Sequence, residues 1–205
     1  MKSKEIIFFI IFIVIIILLF AGYNIFRYPT LFRKLEDRSL SSEDINKLVE
    51  ELKQKENKKT LIAYFSYSGT TKRIAESLHS TIDNSDLFAI TPKEEYKNVY
   101  TQGNNEIRFN KRPELKNQVD NIEQYDVIFI GFPVWFHATP ALINTFLESY
   151  DLTNKIIIPF CTSGGSDIEE AMPTFLNSST DLAIYGEKRI RSSNEINTWL
   201  EELGL

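Results

Sequence analysis

Residues Leu61–Leu78 read LIAYFSYSGTTKRIAESL, and the order of chemistries in that stretch sets the fold. The near-continuous apolar run Leu61–Phe65 suits a strand covered on both faces, as in a parallel sheet. It stops at Ser66-Tyr67-Ser68-Gly69-Thr70-Thr71, a cluster of hydroxyls around one glycine. Ile74, Ala75, Leu78 and Ile82 then recur at helical spacing. The stretch is therefore strand, hydroxyl-rich loop, helix. The first N–H groups of a helix lack internal partners and lie at the positive end of its dipole. A phosphate can fill that position, with Ser and Thr hydroxyls as added donors and Gly69 admitting close backbone approach. The loop is not GxxxxGK[ST], because Lys72 follows the hydroxyl cluster, and GxGxxG is missing as well. An ordinary N-capped helix explains this loop taken alone equally well, since Ser and Thr are common caps.

Upstream lies a different kind of segment. Of the 205 residues, 43% are hydrophobic and 25% charged, which suits one globular domain with an appendage. Ile6–Phe26 is apolar apart from Asn24 and, at about 1.5 Å per residue, long enough to cross a hydrocarbon core of about 30 Å. It reads as a single transmembrane anchor over residues 1–27. A cleaved signal peptide fits less well: the run is longer than a usual h-region, and Phe20-Ala21-Gly22-Tyr23 is a poor cleavage site. Lys2 and Lys4 precede the span while Arg27, Arg33, Lys34 and Arg38 follow it, so positive charge leaves the orientation open. The chain beyond residue 27 carries 20 basic against 27 acidic side chains and no basic run, which argues against nucleic acid as a ligand and suits basic partner proteins. Cys161 is the only cysteine, which excludes an internal disulfide.

Residues 28–58 read as a juxtamembrane connector. Within it, Ser41-Ser42-Glu43-Asp44 starts an amphipathic helix with Ile45, Leu48, Val49 and Leu52 on one face. That face suits a spacer lying on a domain surface or a weak dimerising contact. From about residue 59 to the end, strands alternate with helices: Leu61–Phe65, Asp86–Ile90, Asp126–Gly131, Ile156–Phe160 and Leu182–Tyr185 are the strands. Thr91–Gln124 lacks clear periodicity and reads as a long, partly helical excursion of the kind that often carries function. Helix starts are expected at Thr139-Pro140, with proline at N1, at Ser166-x-x-Glu169 and at Ser192-x-x-Glu195; Pro173 should kink or divide the second of these helices. Such alternation gives a doubly wound parallel sheet, which binds ligands beyond the carboxyl ends of its strands. The loops Ser66–Thr71, Phe132–Ala138 and Cys161–Ser166 each follow a strand, so all three should meet at one edge.

The set S-Y-S-G-T-T, G-F-P-V-W-F and P-F-C-T-S-G-G-S, in that order on an α/β chain, resembles the flavodoxin-like FMN-binding proteins. It resembles most the branch with a Tyr- and Pro-containing excursion before the third strand, here Thr91–Leu115. The resemblance covers residues 59–205 and implies a five-stranded parallel sheet of order 2-1-3-4-5, with FMN at the switch between the first and third strands. It implies that Ser66, Ser68, Gly69, Thr70 and Thr71 form the phosphate loop. It implies that Trp135 packs on the isoalloxazine with Pro133 and Val134 alongside, and that Thr162, Ser163, Gly164 and Gly165 lie beside the pyrimidine end.

Other candidates are weaker. His137 can reach the flavin edge or stand as a surface histidine; His79, on the exposed side of the first domain helix, reads as structural. Phe136 reads as a core or rim residue, and Cys161 as a small packing residue in preference to a redox thiol. Two distant histidines and one cysteine make no transition-metal cluster. The expected function is a membrane-tethered FMN protein carrying electrons between a reductase and an acceptor. Two rivals share the fold, an NAD(P)H-dependent FMN quinone reductase or related oxidoreductase, and a flavin-free binding module.

Overall fold

The structure is a computed structural model that describes residues 3–204. Helix α1 (Ser3–Arg27) is apolar from residue 6 to residue 26 apart from Asn24; among the described residues it is the one helix long and apolar enough to cross a membrane, and none of its apolar stretch is buried. Helix α2 (Ser42–Gln54) is capped by Ser41, whose hydroxyl accepts from the Asp44 N–H at 3.2 Å. It lays Val49 and Leu52 into the core and contacts the fourth strand. The alternating region follows as β1 (Thr60–Tyr64), α3 (Thr70–Thr81), β2 (Ser85–Ala89), α4 (Gln102–Arg108), β3 (Val127–Pro133), α5 (Ala141–Glu148), β4 (Ile156–Thr162), α6 (Ile168–Phe175), β5 (Ala183–Ile184), β6 (Lys188–Arg189) and α7 (Ile196–Leu203).

All strand pairs are parallel, in the order β2-β1-β3-β4-β5 that the resemblance implies. Because successive side chains on a strand point to opposite faces, the continuous apolar runs feed two cores. Leu61, Ala63, Ile128, Ile130 and Ile157 pack with α5 and α6 on one side; Ile62, Phe129, Ile158 and Phe160 pack with α3, α7 and α2 on the other. Full burial stabilises each of the Leu, Ile and Phe side chains by about 1.5–3 kcal/mol. Packing is tight at Gly131, where an added Cβ would lie 2.2 Å from Phe160 Cζ. A side chain there would wedge β3 from β4.

Several local expectations shift. The strand expected over Leu182–Tyr185 is present as the short β5, but it is not the last: beyond Gly186, at φ +60°, β6 also pairs with β4. A Cβ on Gly186 would lie 2.1 Å from Leu203 Cδ2, so the close approach of α7 requires glycine there. The β6 pairing sets Arg189 opposite Cys161. Thr139 does not cap α5. Its N–H donates to Thr174 Oγ1 at 2.7 Å and its hydroxyl to the Ala171 carbonyl at 3.0 Å, tying the second loop to α6, and Pro140 takes the cap position. The capping box of α6 is Asp167 with Glu170, one residue later than Ser166 with Glu169, because the Ser166 N–H is used inside the preceding loop. Ser192 makes no side-chain cap; Ser193–Glu195 forms a short 3-10 turn into α7. Pro173 stands in the last turn of α6 without dividing it.

Candidate functional site

Strand register brings the three loops together. Tyr64 is level with Gly131, and Gly131 with Phe160, so the chain leaves β1, β3 and β4 at the same edge of the sheet. Two further bonds extend the alignment: the Phe65 N–H donates to the Gly131 carbonyl at 2.8 Å, and the Val134 N–H to the Thr162 carbonyl at 3.0 Å. Pro133, the last residue of β3, is level with Thr162, the last of β4. Between β1 and β3 the sheet turns from one winding direction to the other, which leaves a crevice.

The first loop is built locally. Gly69 takes the N-cap position of α3 at φ +88°, a conformation that favours glycine, and offers no side-chain oxygen to the helix. Its own N–H donates to Ser66 Oγ at 3.1 Å, so Ser66 holds the loop's shape. The first turn of α3 carries no carboxylate. The N–H groups at its start are thus free of a capping side chain, with the exposed Ser68 and Thr70 hydroxyls beside them, 3.4 Å apart. Thr71 differs: it is buried, and its hydroxyl lies 2.9 Å from that of Thr162. These two threonines, expected at opposite ends of the site, join its first and third loops.

The second loop is a tight turn. Trp135 and Ala138 exchange both backbone hydrogen bonds at 2.9 Å, and Phe136 and His137 between them have φ of +52° and +59°. Two bulky residues in the left-handed region cost about 1 kcal/mol or more each, so surrounding contacts must hold them there. Trp135 is half-buried, with the rings of Phe65, Tyr67 and Tyr96 edge-on at 5.1–6.0 Å. Beneath it runs α4, where a Cβ on Gly103 would lie 2.9 Å from Trp135 Cε3. Burial raises the Tyr96 phenol and the Glu106 carboxyl above their ordinary ranges, and Tyr96 donates to Glu106 at 2.7 Å. That closed pair fixes one wall around the indole.

In the third loop, Ser163 Oγ accepts from the N–H groups of Gly165 and Ser166 at 3.1 and 2.9 Å. Nothing lies within 4 Å of a Cβ built on Gly164 or Gly165, so the backbone there borders open space. Arg189, which motif reading missed, clamps this loop from behind. Its Nη2 donates to the Ser163 carbonyl at 3.0 Å and Nη1 to the Gly165 carbonyl at 3.3 Å, while its buried Nε has no partner among the described residues. The sequence signal for it is faint, a basic side chain in a two-residue strand beyond the last one expected. Burial pushes the Cys161 thiol up to about 12, which suits a packing residue.

Two clefts open around these loops. One, of about 630 Å³, lies between Tyr67, the excursion at Lys97–Tyr100 and Val134–Phe136. The other, of about 580 Å³, lies between the second and third loops and the end of α1. Tyr100, Val134 and Phe136 line both. His137, expected at a ring edge or at the surface, is half-buried here: its Nε2 accepts from Arg27 Nε at 2.9 Å, and its Nδ1 pairs with Glu170. That hydrogen bond holds the Glu170 carboxyl below its ordinary range. His79 pairs with Ser85 on the far side of α3. Among the described residues no group of His, Cys, Asp or Glu could hold a metal ion.

The start of α3 presents N–H groups without a side-chain cap beside two exposed hydroxyls, and across the switch point stand aromatic walls and an open glycine backbone. A flat ring bearing a phosphate tail matches that order of chemistries. The Flavodoxin family model matches residues 59–203. A candidate flavoprotein from Bacteroides eggerthii DSM 20697 is 34% identical with a TM-score of 0.65, over 72% of this chain and 98% of that one. A flavoprotein from Lactobacillus acidophilus NCFM, solved in complex with FMN, is 31% identical with a TM-score of 0.59, over 69% and 98%. No curated protein matches the chain. With the sheet order, the three loops and these matches in agreement, the chain belongs to the flavodoxin family.

Proposed function

We propose that this protein is a membrane-tethered FMN protein that carries electrons between a reductase and an acceptor. The observation that carries the reading is the meeting, at the switch point, of the uncapped Gly69 turn, the half-buried Trp135 and the open Gly164–Gly165 backbone. The residues present fit the cofactor. Ser66 shapes the phosphate loop, and the backbone at Gly69–Thr71 with the Ser68 and Thr70 hydroxyls donates to the phosphate. Trp135 excludes water from a ring face, with Pro133 and Val134 along it, while Thr162, Ser163, Gly164 and Gly165 supply backbone at the ring's polar end. When bound, FMN supplies one- and two-electron chemistry that amino-acid side chains lack. The protein's share is to seat it, tune it by hydrogen bonds and shield it, so no side chain has to act as general acid or base.

Residues 1–27 serve as the anchor, 28–58 as the connector and 59–205 as the flavin domain. An anchor suits α1 better than a removable leader, because its last turn is bonded into the domain: Asn104 Nδ2 donates to the Phe26 carbonyl at 2.7 Å and Arg108 Nη2 to that of Ile25 at 2.6 Å. The acidic balance of the chain beyond residue 27 favours basic redox partners. The test uses full-length protein in detergent with FMN, NADH or NADPH and a water-soluble quinone. The carrier reading expects reduction to depend on an added flavin-reducing enzyme. Fast turnover without one would replace it with the quinone-reductase reading.

A further inference from the structure

The end of α1 is more than a tether. Its last carbonyls, which a helix terminus leaves without internal partners, are taken up by Asn104 and Arg108 of α4, and Asn104 is itself 2% exposed. The same turn supports the strained Phe136–His137 pair. Phe26 meets Phe136 edge-on at 5.7 Å, Arg27 Nε donates to His137, and the next residue, Tyr28, stacks on the His137 ring at 4.5 Å. Helix end and second loop thus form two sides of the open cleft of about 580 Å³, a size within the usual range of small-molecule sites.

From this junction we propose that the cleft takes a quinone dissolved in the bilayer. The proposal rests on the flavin reading for what the quinone meets at the inner end, but not for the cleft itself. A helix that spans the membrane sets its own last turn at the bilayer surface, so a cleft walled by Tyr23 and Phe26 opens where a lipid-soluble molecule arrives. The walls are aromatic, from Phe26, Tyr100 and Phe136, and suit a flat apolar ring. At one side stands Arg27, whose guanidinium has five N–H groups, more than its bonds to His137 and Tyr23 use, and these suit a ring carbonyl. The nearby carboxylate of Glu170 is engaged by His137, so it presents little repulsion to a carbonyl oxygen.

The experiment photolabels the full chain in phosphatidylcholine vesicles with an azido-benzoquinone carrying a decyl tail, with and without FMN, and maps the adducts by peptide mass spectrometry. Labelling is expected in Tyr23–Tyr28 and Val134–His137, competed by unlabelled decyl-benzoquinone. In Phe26→Ala, at a position already 45% exposed, the competed label should fall about threefold or more. Label that is uncompeted, or confined to other segments, overturns the proposal. So does equal labelling of the same stretches by a photoactivatable phospholipid that quinone does not displace, which would mark a lipid site. If competed labelling persists while FMN fails to bind, the flavin reading falls and the cleft stands. If FMN binds without competed labelling, only the quinone proposal falls.

Discussion

The two ends of the site are made in different ways. At the end proposed for the phosphate, the Ser66–Thr71 loop draws mainly on its own neighbours: Ser66 holds Gly69, Gly69 starts α3, and only Thr71 reaches across to Thr162. At the ring end, the Trp135–His137 turn and the Ser163–Ser166 loop depend on residues far away in sequence. Gly103 makes room for the indole, Arg189 clamps the third loop, and Phe26, Arg27 and Tyr28 brace a turn with two non-glycine residues in the left-handed region. Local chemistry can build an anion seat because a helix start already supplies the donors. A ring slot needs walls from several elements, so its geometry depends on the whole fold.

Substitutions should separate the two ends. The largest effect is expected for Ser68→Asp, which sets a carboxylate against the phosphate at an exposed position. A like-charge contact near the surface is worth about 3–4 kcal/mol, so FMN affinity should fall by several hundredfold in a fluorescence titration. Riboflavin, which lacks the phosphate, should bind both proteins alike; equal loss for both flavins would remove the anion assignment. Next comes Arg189→Ala, which deletes two charge-assisted bonds to loop carbonyls and should lower unfolding free energy by about 1–3 kcal/mol. Amide exchange at Ser163–Ser166 should quicken while that at Ser66–Thr71 holds steady. Lysine should not restore it, because the two carbonyls are bridged by one planar fork.

Gly103→Ala is expected to have a smaller effect, about 1 kcal/mol, as its methyl pushes on the Trp135 ring. Its signature is a shift in tryptophan emission with FMN affinity reduced several-fold, and unchanged emission would mean the indole has slack. The least effect concerns pH. Burial lifts the Cys161 thiol to about 12, above the unfolded value of about 8.5. The folded chain therefore keeps a proton that the unfolded chain loses. That contribution to stability is fully present below about pH 8.5 and is lost as pH rises towards the folded value. Slow alkylation of Cys161 in the native protein, and fast alkylation in urea, would check it.

How much of this was legible in the chain follows the same division. Leu61–Phe65, Asp126–Gly131 and Ile156–Phe160 announce central strands because burial on both faces demands unbroken apolar runs, and the hydroxyl cluster at Ser66–Thr71 announces the turn into α3. Helix caps were off by a residue or served another role wherever a hydroxyl had a tertiary partner, as Thr139 does on α6. The added strand β6 follows Gly186, a left-handed glycine packed against Leu203, and no local pattern encodes that contact. Arg189 escaped notice for a related reason, since its partners are carbonyls, which every residue has. Phe26 and Arg27 read as the tail of an apolar span. Only the folded chain brings them to His137 and Phe136.

The central claim is tested most directly by titrating the purified full-length protein in detergent with FMN while following flavin fluorescence and the visible spectrum. The account predicts saturable binding at one site, with quenched emission and a perturbed absorption band, and weaker quenching in Trp135→Ala. A spectrum and emission identical to those of free FMN at every protein concentration would contradict it.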